Sequence, residues 1–162
     1  ALQDVLADLS STEPVVVFCR FRRDLDTVHR VAKSLFRKSC ELSGRVNSLE
    51  LWKKSDSMPI LAVQIQAGGV GIDLTKARYC VYYSLGYSLG DYEQSLARVH
   101  RPGQEYPVQY IHLICQRTVD QTVYQALDDK KEVITEILRD MRTASTEEEI
   151  EHTDQDEEYV DD

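Results

Sequence analysis

The sequence is poor in the features that would assign it quickly. Nowhere in its 162 residues does an apolar run approach the roughly 20 positions of a membrane helix, so no membrane partner is expected. Its four cysteines, Cys19, Cys40, Cys80 and Cys115, are 21, 40 and 35 residues apart, with no paired spacing and no histidine placed to complete a metal cage. No metal site is predicted; three of the four fall in or at the end of apolar runs, and all four read as buried, reduced thiols. The phosphate-cradling loop G-x-x-x-x-G-K-[ST] does not occur. A dinucleotide fingerprint fails too, because Leu74 stands where the third glycine would fall counting from Gly69. The chain begins at Ala1 and shows no basic segment leading into an apolar one, which suggests a piece of a larger protein.

Positive charge is short overall: the net charge is -9 at pH 7, which would argue against a polyanionic partner. The deficit is local. Residues 143–162 hold ten acids and no Lys or Arg, leaving 18 acids against 19 bases in residues 1–142. The expected division is therefore a domain over 1–142 and an acidic, flexible tail over 143–162. That tail reads either as a solvated terminus or, should the body bind a polyanion, as a device against unproductive binding. The near-neutral body remains compatible with a phosphate-bearing ligand, since local field governs anion capture.

What is present is an alternation of short apolar runs and amphipathic stretches. Val15–Cys19, Ile60–Val63, Cys80–Tyr83 and Tyr110–Ile114 are continuous rather than alternating, as strands buried on both faces require. A weaker fifth candidate surrounds Cys40–Leu42. Leu25, Val28, Ala32 and Leu35 recur at helical spacing, and Ser88 with Asp91 resembles a capping pair opening a helix toward Arg101. Thr118 with Gln121 repeats that signal before a long stripe of Val123, Leu127, Ile134, Leu138 and Met141. Trp52 reads as a core anchor of a helix, and His100 and His112 as packed or partly exposed residues rather than ligands. The predicted fold is α/β, a mostly parallel central sheet flanked by helices in three layers.

Two segments could carry chemistry. The stretch from Gln66 to Thr75 follows a buried strand and contains Gly68, Gly69 and Gly71, which let backbone N–H groups approach a ligand closely. Asp73 in it could accept hydrogen bonds from sugar hydroxyls; the alternative is a plain tight turn. The second segment runs from Gln94 to Gln104. Arg98 and Arg101 are three apart and Gln94 lies a turn earlier, so a continuing helix would bring all three to one phosphate-binding face. Arginines near a helix end that merely favour the dipole are the competing explanation.

Taken in order, these segments resemble motifs V and VI of superfamily-two helicases and translocases of the Swi/Snf type. The glycine turn, the apolar strand from Tyr79 to Ser84 and the pattern Q-x-x-x-R-x-H-R-x-G-Q from Gln94 to Gln104 follow one another as they do in that family. Val15–Cys19 followed by Arg20-Phe21 is similar to motif IV, and Leu42-Ser43-Gly44 to the short strand and turn after it. The similarity extends over about residues 15–125. Three departures stand out: Asp73 replaces the group's usual Asn and matches related RNA helicases, Tyr87-Ser88-Leu89 replaces a W-N-P triplet, and Pro102 replaces an aliphatic residue.

The resemblance implies the second RecA-like lobe of a two-lobe nucleic-acid-dependent ATPase, and it implies the following roles. Arg101 is the arginine finger, with Arg98 its partner and Gln94 a positioning residue. Gly71 and Asp73 face ATP, whose Mg²⁺ is held mainly by an N-terminal RecA-like lobe of the same parent chain. Arg20, Ser43, Gln66 and Gly68 contact DNA. The isolated lobe is expected to be inactive, and its setting intracellular, cytoplasmic or nucleoid-associated. An RNA helicase lobe and a catalytically inactive RecA-like scaffold are the alternatives.

Overall fold

Val15–Cys19 is buried at all five positions because it occupies the middle of a sheet covered on both faces. In the computed structural model, which describes residues 1–57, 59–67 and 72–135, this run is β1 of a five-stranded sheet. The others are β2 (Ser39–Leu42), β3 (Ile60–Gln64), β4 (Tyr79–Tyr82) and β5 (Gln109–His112). Their order is β2-β3-β1-β4-β5 and every pairing is parallel. The register sets Val17 beside Ala62 on one side and Val81 on the other.

Successive residues of a strand face opposite ways, so β1 feeds two cores. Val16 and Phe18 join a layer with Trp52, Leu74, Cys80 and Val99. Val15, Val17 and Cys19 join a second with Leu6, Leu25 and Val28. Helices α1 (Leu2–Asp8) and α2 (Arg22–Ser34) supply the second layer, and α3 (Leu49–Lys54) and α4 (Leu89–Val99) contribute Trp52 and Val99 to the first. This is the three-layer α/β arrangement expected from the sequence. All five apolar runs form strands, including the weak one at Cys40–Leu42, but the run at Tyr110–Ile114 is not buried on both faces: β5 is an edge strand, only partly buried, and Ile114 beyond it is exposed. Helix α1 had no strong sequence signal: it is seven residues long, and its only buried side chains are Leu2 and Leu6.

Trp52 is fully buried and its Nε1–H donates to the Pro59 carbonyl at 3.3 Å. Lys76 caps the end of α3, donating to the carbonyls of Trp52 at 2.8 Å and Ser55 at 2.9 Å. The Ser88 hydroxyl accepts the Asp91 N–H at 3.2 Å, the predicted cap of α4.

Three expectations are corrected. Helix α4 stops at Val99, not near Arg101: His100 takes φ -93°, ψ 87°, and Arg101 precedes Pro102, which disfavours helical backbone at that position. Cys115 is exposed, because it lies beyond the end of β5, whereas Cys19, Cys40 and Cys80 sit inside strands and are buried. The stripe after Thr118 also keeps only part of its burial, with Val123 and Leu127 buried and Ile134 exposed at 43%.

The chain divides into two compact units, Ala1–Tyr124 and Gln125–Asp162. In the first, the Thr118 hydroxyl accepts the Asp120 N–H at 3.3 Å, while Gln121 takes the Arg117 N–H through its side chain at 2.7 Å. Residues 119–135 are helical. Leu138, Met141, the boundary at 142 and the acidic tail lie outside the described residues, as do Gly68, Gly69 and Gly71. No helix among the described residues is long and apolar enough to cross a membrane.

Candidate functional site

Two hydrogen bonds tie the loop between β3 and β4 to α4, and a third comes from Arg101 just past the helix. The Leu74 N–H donates to the Arg98 carbonyl at 2.9 Å. The Arg98 guanidinium donates to the Ala67 carbonyl at 3.4 Å and to Gln94 Oε1 at 2.8 Å. Arg101, just past the helix, donates to the Ile72 carbonyl at 3.4 Å. Arg98 and Arg101 thus do not share a helical face, but both guanidiniums converge on the same loop.

Their environments differ sharply. Arg98 is only 5% exposed, and burial pulls its guanidinium below the usual arginine range despite the opposing pull of Asp91. Arg101 is exposed and has no carboxylate partner among the described residues. Pro102 ends the helical path, and Gly103 takes φ +102°, a backbone that side-chain-bearing residues rarely adopt. Gln104 then fastens the turn through Nε2 to the carbonyls of Ala77 at 3.2 Å and Val99 at 3.4 Å.

Asp73 is held in a fixed orientation. Its Oδ1 accepts from the Thr75 N–H at 2.9 Å and the Thr75 hydroxyl at 2.8 Å, and Lys53 approaches Oδ2 at 3.5 Å. The Thr75 N–H is the main influence lowering its carboxyl pKa; burial opposes it, and the Thr75 hydroxyl and Lys53 reinforce it. Both Thr75 bonds go to a single oxygen that an Asn side chain also carries, so the departure at Asp73 is locally compatible with the group's usual Asn. Lys53 is a contact that sequence spacing could not reveal, since it comes from α3, twenty residues away.

Arg20, Ser43 and Gln66 all sit at the carboxyl edge of the sheet, after β1, β2 and β3 respectively. Arg20 donates its backbone N–H to the Ser84 hydroxyl beyond β4 at 2.8 Å. The crevice there, between β1 and β4, is where the chain changes sides of the sheet, the usual ligand position of open α/β sheets. Arg20 and Gln66 line one cleft of about 210 Å³ with Gly86, Tyr87, Ser88 and Asp91. Gln66 Nε2 donates to Asp91 Oδ2 at 3.4 Å. The Arg20 guanidinium lies 5.0 Å from the Phe21 ring centroid.

Ser43 is not among the lining residues of that cleft. Its hydroxyl donates to Glu41 and accepts the N–H groups of Arg45 at 3.1 Å and Val46 at 3.3 Å, shaping a turn. Glu41 was not anticipated as a hub from the sequence. It also takes hydrogen bonds from Arg45 Nε at 2.8 Å and engages His29 Nε2 at 3.0 Å. No group of three His, Cys, Asp or Glu side chains among the described residues is arranged to hold a metal ion.

Comparison with known proteins identifies the family. The family description "Helicase conserved C-terminal domain" matches residues 1–103. The DNA repair protein rad8 of Schizosaccharomyces pombe is 30% identical over 139 residues, covering 82% of this chain and 12% of that protein. A Drosophila melanogaster SWI/SNF-related, matrix-associated, actin-dependent regulator of chromatin, subfamily A, containing DEAD/H box 1 homolog is 30% identical over 122 residues, covering 72% of this chain and 14% of its own length. The crystal structure of the C-terminal part of the Fun30 ATPase domain superposes with a TM-score of 0.71 at 25% identity, covering 78% of this chain and 43% of that one. The chain therefore spans about an eighth of these curated relatives. Its parallel RecA-like sheet and the match over residues 1–103 make it a member of the helicase conserved C-terminal domain family, with relatives of the Swi/Snf type.

Proposed function

We propose that this chain is the second motor lobe of an ATP-dependent DNA helicase or translocase. The observation that carries the reading is the exposed Arg101 tethered to the Ile72 carbonyl, next to the loop that also presents Asp73. An exposed guanidinium fixed at its base by a buried helix end can reach a phosphoryl group presented by another lobe. Arg101 is the finger. Arg98 acts as its partner and, with Gln94, sets the loop on which Asp73 and Gly71 face the nucleotide. An arginine finger typically accelerates phosphoryl transfer about 10³ to 10⁵-fold, by stabilising charge that spreads over the transferred group.

The phosphate cradle and Mg²⁺ ligands belong to a first lobe, so this lobe alone completes no active site. DNA runs along the carboxyl edge of the sheet, contacted by Arg20, Ser43, Gln66 and Gly68, mainly through phosphates. The duplex-DNA reading is preferred to the RNA alternative for two reasons: Asp73 makes turn contacts that an Asn could also make, and a relative carries the name DNA repair protein. A scaffold would have no use for an exposed, loop-tethered Arg101. The setting is intracellular, in keeping with chromatin and DNA repair relatives. The test is ATP hydrolysis by the two-lobe parent protein: Arg101→Ala should lower turnover at least a hundredfold without unfolding the lobe.

A further inference from the structure

A second cleft, of about 550 Å³, opens beside the loop that carries Asp73. Asp73 and Thr75 line it, as do Gly103, Gln104, Arg78 and Tyr106, so it begins two residues beyond Arg101 and ends at an aromatic ring. Tyr106 is 51% exposed, yet it is not a loosely placed side chain. The Arg78 guanidinium lies over its ring, 4.0 Å from the centroid, and is itself held by Glu13 at 3.5 Å. The Tyr106 N–H donates to Gln104 Oε1 at 3.2 Å, while the same amide's nitrogen is fastened to the Val99 carbonyl at the end of α4 and to the Ala77 carbonyl in the loop before β4. One ring face is thus covered by a cation, and Tyr106 keeps substantial exposure in a cleft roomy enough for a nucleoside.

From this geometry we infer that Tyr106 is the stacking platform for the nucleobase of the bound nucleoside triphosphate, with Arg78 holding the ring through its other face. The inference rests on the proposed role of Arg101, and deepens it by assigning the opposite end of the nucleotide. The triphosphate points toward Arg101, the ribose passes Asp73, and the base lies on the open face of Tyr106. Stacking tolerates any base, so Tyr106 contributes affinity for a nucleoside over a bare sugar phosphate rather than selection among bases.

The test uses the two-lobe parent protein and compares ATP with ribose 5-triphosphate, which has the sugar and phosphates without a base. Tyr106→Ala should raise KM for ATP roughly tenfold, leave kcat within about twofold and leave Ki for ribose 5-triphosphate unchanged; Tyr106→Phe should restore the KM. An unchanged KM, a loss confined to kcat, or equal losses for the two compounds would overturn the assignment. Full turnover by Arg101→Ala in the same assay would instead overturn the reading on which it rests.

Discussion

The carbonyl of Arg98 accepts the N–H of Leu74 at 2.9 Å, so the end of α4 and the β3–β4 loop are joined through backbone as well as side chains. Leu74 is fully buried in the same core layer as Val99, which fixes the loop from below. The loop's position is therefore a property of the core, and the two arginines inherit it.

Arg98 and Arg101 should separate cleanly in stability measurements. Removing the buried Arg98 guanidinium leaves Gln94 Oε1 and the Ala67 carbonyl without that donor, so Arg98→Ala should cost about 2–3 kcal/mol. Arg101 is exposed, so Arg101→Ala should stay within about 0.5 kcal/mol. Urea midpoints of the two variants provide the comparison, and equal losses would refute the division of roles.

Asp73→Asn should retain the Thr75 turn because its side-chain oxygen can accept both Thr75 bonds, with a loss below about 1 kcal/mol from the half-exposed Lys53 pair. Asp73→Ala removes the acceptor and should cost about 1–2 kcal/mol. Thermal melts of both variants test the ordering.

Much of the fold is legible in the sequence alone, for a physical reason. Strands buried on both faces need unbroken apolar runs, and Val15–Cys19 and Ile60–Val63 announce themselves that way. Ser88 and Asp91 announce a helix start because capping needs those side chains. The extension of α4 toward Arg101 failed because helical spacing outlasted helical backbone; Pro102 held the clue. Contacts made across the fold had no local signature: Lys53 with Asp73, Arg78 with Tyr106, and the buried Arg37 guanidinium on the Leu6 carbonyl at 2.7 Å. Side-chain type cannot reveal such pairs when the partners are brought together only by the sheet.

The Glu41 hub sets an acid limit on stability. Burial works to raise its carboxyl pKa, but hydrogen bonds from Arg45, Ser43 and His29 together with the Arg45 charge hold it down at about 2, against an ordinary value of 4.5. As pH falls below 4.5 the unfolded chain takes up the proton before the folded one does, so this contribution is complete above 4.5 and is lost down to about 2. Glu41→Gln should cost about 2 kcal/mol at neutral pH and flatten the pH dependence across that window, read from urea midpoints. A wild-type slope surviving in the variant would place the acid sensitivity elsewhere.

Thiol reactivity should single out Cys115. Burial is the main cause pushing the Cys19 thiol far above its ordinary range, and it pushes Cys80 up to about 12, while Cys40 is buried within β2. Only Cys115 is exposed. An aromatic disulfide reagent should label one thiol rapidly and three only on unfolding, and Cys115→Ser should abolish the rapid phase.

The most direct test is ATP hydrolysis by the parent protein carrying both lobes, wild type and Arg101→Ala, with duplex DNA, single-stranded DNA or RNA, and this chain alone as a control. The account predicts stimulation by duplex DNA, a loss of at least a hundredfold in the variant and negligible turnover by the isolated chain. Turnover indifferent to Arg101, or robust hydrolysis by these 162 residues alone, would contradict it.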